Sequence, residues 1–294
     1  MIAVLSGVAD TKAQEAEPRS YSNTPVGLNF LISGYVYSRG KIAFDPDGAI
    51  ADATFHSSSG VLAYARSFAL GGQSAKFDVV VPLASFAAQG FQNGLPRERE
   101  ILGLADPRFR LSVNLFGAPA LSAKEFASYQ QDLIVGVSVQ VSAPLGQYDN
   151  TKLLNLGGNR WSVRPELGIS KAWGPWTFEV APSVIVFSDN TDFLVGNTFS
   201  QAPIYAVQGH VLYTFPSGMW VALDGLYFAG GRTALNGVKS DNEQANTRAG
   251  FTLALPIDRR NSLKLSASTG ITTRTGSEFS AVGLAWQYRW GEGY

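Results

Sequence analysis

His56 and His210 are the chain's only histidines and it has no cysteine, so the side chains that most often activate a nucleophile or bind a metal are nearly absent. Thiolate catalysis, disulfides and cysteine-ligated metals are excluded, and two imidazoles cannot build a multi-histidine centre. His210 stands at alternate spacing with Gln208 and Thr214. It is the one candidate base for ester hydrolysis, which also needs a serine held against it. No G-x-S-x-G elbow, H-E-x-x-H helix or phosphate-binding glycine loop occurs. Asp189 and Asp192 form a carboxylate pair in a loop-like segment, where solvated charges are the simpler reading. No catalytic residue, metal or cofactor is assigned.

The residues left with chemical work to do are charges spaced two apart. Arg108 and Arg110 alternate with Phe109 and Leu111, and Arg164 and Glu166 alternate with Val163, Pro165 and Leu167. Asp78, Glu179, Asp224, Arg248 and Arg289 take equivalent places in other segments, with Arg66 and Lys264 read the same way. A spacing of two puts such residues on one face of a strand. With His210, these charges are the candidates for lining a wet interior. Asp78 and Glu166 neutralise part of the arginine cluster if heights match, leaving a net positive inner patch and a mild preference for anions.

The elements that must hold these residues are strands. Leu133, Val135, Val137, Val139 and Val141 alternate with Asp132, Gly136, Ser138, Gln140 and Ser142, and the same period of two runs from about residue 25 to 290. Twelve strands are expected, at about 26–38, 53–70, 74–88, 98–116, 131–144, 160–173, 176–188, 199–215, 218–229, 244–256, 261–274 and 279–290. Tight turns at Gly71-Gly72, Gly174-Pro175, Pro216-Ser217-Gly218 and Ile257 to Arg260 alternate with longer polar segments at 39–52, 89–97, 145–159, 189–198 and 230–243. Outer-membrane barrels have this rhythm of short periplasmic turns and long outer loops, which puts both termini in the periplasm. Ser122-Ala-Lys-Glu125 is a capping box that predicts a short periplasmic helix at about 123–129, with Leu121 and Phe126 as its staple.

Composition agrees with a membrane barrel. Charged residues are 16%, below the roughly 25% of soluble domains, while aromatics are 12%. Lysine plus arginine equals aspartate plus glutamate at 23 each, so no overall field draws nucleic acid. No apolar run reaches the about eighteen residues of a membrane helix. A twelve-stranded ring is too wide to fill with its apolar faces, so the polar face lines the lumen. The last strand carries Val282, Leu284, Trp286, Tyr288 and Trp290 on one face, and its three terminal aromatics read as the assembly signal. Trp161, Trp173, Trp176, Trp220, Tyr213 and Phe215 stand near strand ends, where aromatic girdles meet headgroups. The apolar start, Ile2 to Ala9, reads as the end of a truncated signal peptide over 1–16, with one barrel domain over 17–294.

Asp106 through Leu121 (DPRFRLSVNLFGAPAL), Glu125-Phe126, Tyr129, Val141 through Asp149 (VSAPLGQYD), Asn159-Arg160-Trp161 and Pro165 through Gly168 (PELG), with Glu17 through Ser22 (EPRSYS), resemble the transporter family named for the MetA pathway of phenol degradation. The resemblance implies an outer-membrane barrel associated with uptake of aromatic or other hydrophobic compounds, and it brings no catalytic residues. The expected protein is an all-β, single antiparallel transmembrane barrel in the bacterial outer membrane, with lipid around it, a small-molecule cargo within and the barrel assembly machinery as a partner. It is expected not to be an enzyme. Two alternatives stand beside it: a closed structural barrel, recognised by a lumen plugged by residues 14–25 and the outer loops, and a membrane lipid hydrolase, recognised by His210 bonded to a serine on the outer wall.

Overall fold

The computed structural model describes residues 17–43, 50–92 and 95–292; the expected signal segment 1–16 lies outside the described residues. Its strands run in chain order as β1 (Leu28–Ala43), β2 (Ile50–Leu70), β3 (Gln73–Gln92), β4 (Leu95–Leu104), β5 (Arg108–Phe116), β6 (Leu133–Ser142), β7 (Ser162–Trp173) and β8 (Trp176–Phe187). After β9 (Asn190–Phe193) and β10 (Asn197–Gln201) come β11 (Ile204–Thr214), β12 (Trp220–Gly230), β13 (Thr233–Leu235), β14 (Val238–Lys239), β15 (Gln244–Pro256), β16 (Asn261–Thr272) and β17 (Gly276–Gly291). The helix α1 (Ala123–Phe126) lies between β5 and β6.

The wall closes where β1 meets β17, antiparallel from Leu28↔Gly291 to Ala43↔Gly276. Around the ring each wall strand pairs with its sequence neighbours, and β4 and β5 both lie on β3. They form one stave interrupted at Ala105–Pro107, so the expected strand 98–116 is two strands and the barrel still has twelve staves. The interruption is bridged: the Ala105 amide donates to Pro82 O at 3.0 Å, and the Gln147 amide to Leu104 O at 2.7 Å. Proline has no amide hydrogen for a ladder, which is why Pro107 marks the break.

Local chemistry explains the turns. Gly71 and Gly72 have φ of +58° and +77°, the pair of left-handed conformations a two-residue hairpin turn needs. The capping box forms as expected, with Ser122 Oγ accepting the Glu125 amide and Glu125 Oε2 accepting the Ser122 amide at 2.9 Å. On the outer side the sequence reading needs correction. Much of 39–52 and 89–97 is strand, so β1, β2 and β3 stand well above the belt, and 190–201 with 233–239 form a separate four-stranded sheet. These segments are polar because they stand in water. They are not unpaired.

Leu62, Leu83, Leu111, Leu167, Leu223 and Leu284 all point outward and are exposed, which on a soluble protein would be an aggregation surface. Here they form the lipid belt. Below them Trp176 packs edge-on to Tyr213 at 4.9 Å, and Tyr213 to Phe215 at 4.8 Å. Trp286, Tyr288 and Trp290 stack into a ladder on β17, with centroids 6.1 and 5.6 Å apart. Two expectations about facing fail. Arg66 is exposed on the outer face of β2 while its neighbour Ser67 is fully buried, and it lies close to the Gly71 turn, where headgroups and water solvate a charge. Trp220 faces inward, with the Arg19 guanidinium 4.8 Å over its ring.

Leu167→Arg, at the middle of β7 on the lipid face, therefore lowers the folding yield into liposomes, because a charge at mid-bilayer costs roughly 2–4 kcal/mol. Ser266→Arg, which points into the lumen, leaves the yield close to that of the parent. Equal losses on a heat-modifiability gel sink the assignment of faces.

Candidate functional site: the lumen

The interior is divided into two halves. On the β5 to β11 side it is filled by a polar network and by the chain's own residues 17–27, an arm that enters from the β1 end. Tyr21 anchors the arm. Its ring lies in a slot made by Gly136 and Gly168, register partners on β6 and β7. A Cβ on Gly168 would come within 2.0 Å of the Tyr21 ring, and one on Gly136 within 2.5 Å, so only glycine leaves room. The Tyr21 hydroxyl donates to Glu166 Oε1 at 3.0 Å and lies 3.1 Å from Ser138 Oγ. Burial, together with the charge of Glu166, pushes its pKa above the ordinary tyrosine value.

Charges pin the rest of the arm. The Arg19 amide donates to Glu179 Oε2 at 2.8 Å, its guanidinium to Thr214 Oγ1 at 2.5 Å, and Lys76 Nζ donates to Ser20 O at 2.7 Å. Glu17 forms an ion pair with Arg110 and its amide donates to Gln208 Oε1. Enclosure in the barrel opposes ionisation of Glu17, although 31% of its side chain still meets the lumen. The charges of Arg110, Arg164 and Arg108 outweigh that penalty and hold its carboxyl well below the ordinary carboxylate range.

Each of the ten residues expected to line the lumen is on the inner face. Asp78 on β3 pairs with Arg110 on β5 at 2.9 Å, so the assumed matching of heights holds for that pair, while Arg164 and Glu166, paired at 2.6 Å, are two apart on β7 itself. Glu179 also accepts from Ser170 Oγ. His210 Nδ1 lies 2.7 Å from Asp224 Oδ1, and Asp224 Oδ2 accepts from the Thr252 hydroxyl. Arg248 donates to Phe279 O at 3.0 Å with its guanidinium carbon 3.8 Å from the ring centroid. Arg289 donates to Arg259 O at the periplasmic turn, and Arg108 lines the cavity described next. Outside the lumen, Asp192 is engaged within its loop, accepting from Asn150 and the Gly196 amide.

The other half of the lumen is open. A cavity of about 810 Å³ lies against β1, β2, β3, β15, β16 and β17, with the arm and Phe126 on its periplasmic side. Its wall is small and apolar in successive transverse rows: Ala285, Gly34, Val61 and Pro82 are register neighbours, as are Gly283, Val36, Ser59 and Ala84. Toward the outside, Phe55 stacks on Phe86 at 5.6 Å and meets Phe279 edge-on at 5.9 Å. Leu156, from the loop after β6, packs into this cluster and is 1% exposed. That loop therefore folds into the barrel mouth. Sequence reading offered residues 14–25 as a possible plug without singling out Glu17 or Tyr21, and it missed Phe55, Phe86, Phe279 and Leu156. The inner-face glycines of β6 and β7 were a visible signal that something large fits there.

A family model described as "Putative MetA-pathway of phenol degradation" matches residues 39–288. An outer membrane channel from Pseudomonas putida F1 is similar in structure, with a TM-score of 0.78 and 20% identity over 94% of this chain and 100% of that one. The transport unit of the autotransporter AIDA-I from Escherichia coli has a TM-score of 0.53 at 8% identity, covering 96% of this chain and 95% of its own. The translocator domain of the autotransporter NalP from Neisseria meningitidis has 0.52 at 11% identity, covering 96% of each chain. No curated protein matches the sequence. The fold is that of an outer-membrane β-barrel, and the outer membrane is where its apolar belt belongs.

Gly168→Ala places a methyl group where the Tyr21 ring lies, so hydrogen exchange in residues 17–27 should rise by at least tenfold while the wall strands stay protected. In the parent the arm should be equally protected from pH 8 to pH 5. The depressed Glu17 pKa means its contribution is complete above the ordinary value of 4.5 and fades only as pH falls below that toward the lowered value. Exchange that climbs between pH 8 and 6 contradicts the ion-pair account of the arm.

Proposed function

The chain belongs to the family described as "Putative MetA-pathway of phenol degradation", and from that premise we propose that it is an outer-membrane channel for uptake of small hydrophobic or aromatic molecules. The observation that carries this reading is the lining of the cavity. Pockets for small molecules run from roughly 300 to 1,000 Å³ and are mostly apolar, and this one has about 810 Å³ faced by Gly34, Val36, Val61, Ala63, Pro82 and Ala84. A solute of low polarity keeps favourable contacts there throughout its passage. In this reading Asp78, Arg108 and Arg248 border the path on one side, while Glu166, Glu179 and His210 hold the arm side of the lumen.

The reading assigns no catalytic role to His210. His210 is bonded to Asp224 within the wall, and among the described residues its Nε2 has no serine partner. The outer ladder of Trp286, Tyr288 and Trp290 is proposed as the signal that the barrel assembly machinery reads, with outer-membrane lipid as the partner of the finished wall. One observation favours a closed structural barrel instead: the arm occupies part of the lumen and Leu156 narrows its mouth.

Cells with an intact lipopolysaccharide leaflet, which slows hydrophobic solutes, separate the two. Expression of the protein should raise the initial uptake rate of labelled benzyl alcohol several-fold. Val61→Trp, which fills the cavity, should remove most of the gain, and Leu62→Trp, on the lipid face, should keep it. Uptake no faster than in cells lacking the protein leaves the closed barrel as the answer.

A further inference from the structure

Among the described residues that line the cavity, Lys264 is the basic group that the polar network does not absorb. It stands on the inner face of β16, exposed to the cavity, and among the described residues it makes no hydrogen bond or ion pair. The carboxylates that line the same cavity are committed elsewhere: Asp78 and Glu17 to Arg110, Asp224 to His210 and Thr252, and Asp106 to the Gly146 and Gly158 amides. An ammonium group facing a half-apolar chamber without a counter-charge calls for an anion from solution.

Its neighbours say what kind. Lys264 is the register partner of Ala285, Ala285 of Gly34, Gly34 of Val61 and Val61 of Pro82, with Ala254 on its other side, so it stands in a row that is otherwise apolar. Gly283, one row further out, also faces the cavity under the Ser266 hydroxyl and a Val36 methyl, and with Gly34 it keeps the wall beside the lysine low and flat. Strands lie about 4.8 Å apart, so one ring laid over Ala285 and Gly34 brings a substituent within reach of the ammonium on its flexible stem. A flat wall takes a flat group, and the Phe55, Phe86 and Phe279 cluster above adds an aromatic rim.

We propose that the cavity is a binding site for a small aromatic carboxylate, with its ring against the Ala285–Gly34–Val61 wall and its carboxylate on the Lys264 ammonium. This rests on the channel reading and adds to it the class of solute held on the way through. A neutral aromatic uses the same wall without the ion pair and binds more weakly.

The test is isothermal titration of the purified barrel in a non-ionic detergent with sodium benzoate and, separately, with benzyl alcohol. The parent should bind benzoate more tightly than benzyl alcohol. Lys264→Met, which keeps the apolar stem, should weaken benzoate about tenfold, the worth of one charge-assisted hydrogen bond in a partly wet site. Lys264→Arg should restore binding to within a few-fold of the parent. Lys171→Met, on the outer surface, controls for the general loss of a positive charge and should leave benzoate binding alone. A heat-modifiability gel establishes that each variant is folded. Benzoate affinity unchanged in Lys264→Met, or a parent that binds benzyl alcohol but not benzoate, overturns the carboxylate site. The channel reading falls separately, on failure of benzyl alcohol to enter cells.

Discussion

A strand inside hydrocarbon has no water to satisfy its amide groups, so every edge in the membrane must find another edge. In this chain the last edge is closed by β1 against β17, sixteen residues on sixteen. Everything else follows from that seam. Once the ring is shut, one face of every strand meets lipid and the other meets an enclosed space. The alternation of the sequence then separates a belt of leucine and valine from an inner surface of serine, glycine, arginine and glutamate. Twelve staves enclose more volume than their own side chains fill, which leaves room for a segment of chain and a cavity.

The lumen is asymmetric because the charges are not spread evenly around the ring. Asp78, Arg110, Arg164, Glu166, Glu179 and His210 all lie between β3 and β11, and the arm residues Glu17, Arg19 and Tyr21 complete their hydrogen bonds. The opposite arc, from β16 through β17 and β1 to β3, carries small apolar groups and few charges, so it holds other chain segments only toward its ends, where Ser67 binds Pro25 and Gly27 and where Leu156 packs on Phe55 and Phe86. The same wall thus makes a rigid half and a vacant half. Gly136 and Gly168 decide which is which, since a side chain at either would push Tyr21 out.

Much of this was legible in the residues. The valine alternation of β6, the matched charges of β5 and β7 and the terminal aromatics of β17 marked both faces, because those strands change polarity at every step. Ser122 and Glu125 marked the helix. Arg66 misled, because its charge outweighed the large apolar residues Leu62, Tyr64 and Phe68 that share its face; near the headgroups a charge on the outer face costs little. Trp220 misled because an aromatic at a strand end suits the girdle and also suits an inward cation such as Arg19. The long outer strands were hidden because in water a paired strand and a loop can have the same composition. The arm was named only as a possible plug over 14–25, and its seat was hidden because the segment has no period to show which residues face the wall.

The arm precedes every strand in the chain, yet its partners come late: Ser138, Glu166 and Glu179 in the middle, Gln208 and Thr214 well beyond. The arm is made before the strands and is seated after them, since its socket is not complete until β11 is in the wall. An incompletely inserted barrel has no seat for it. Occupancy of the Gly136–Gly168 slot is thus a record of maturation, and the passage narrows only after the protein is safely built into its membrane.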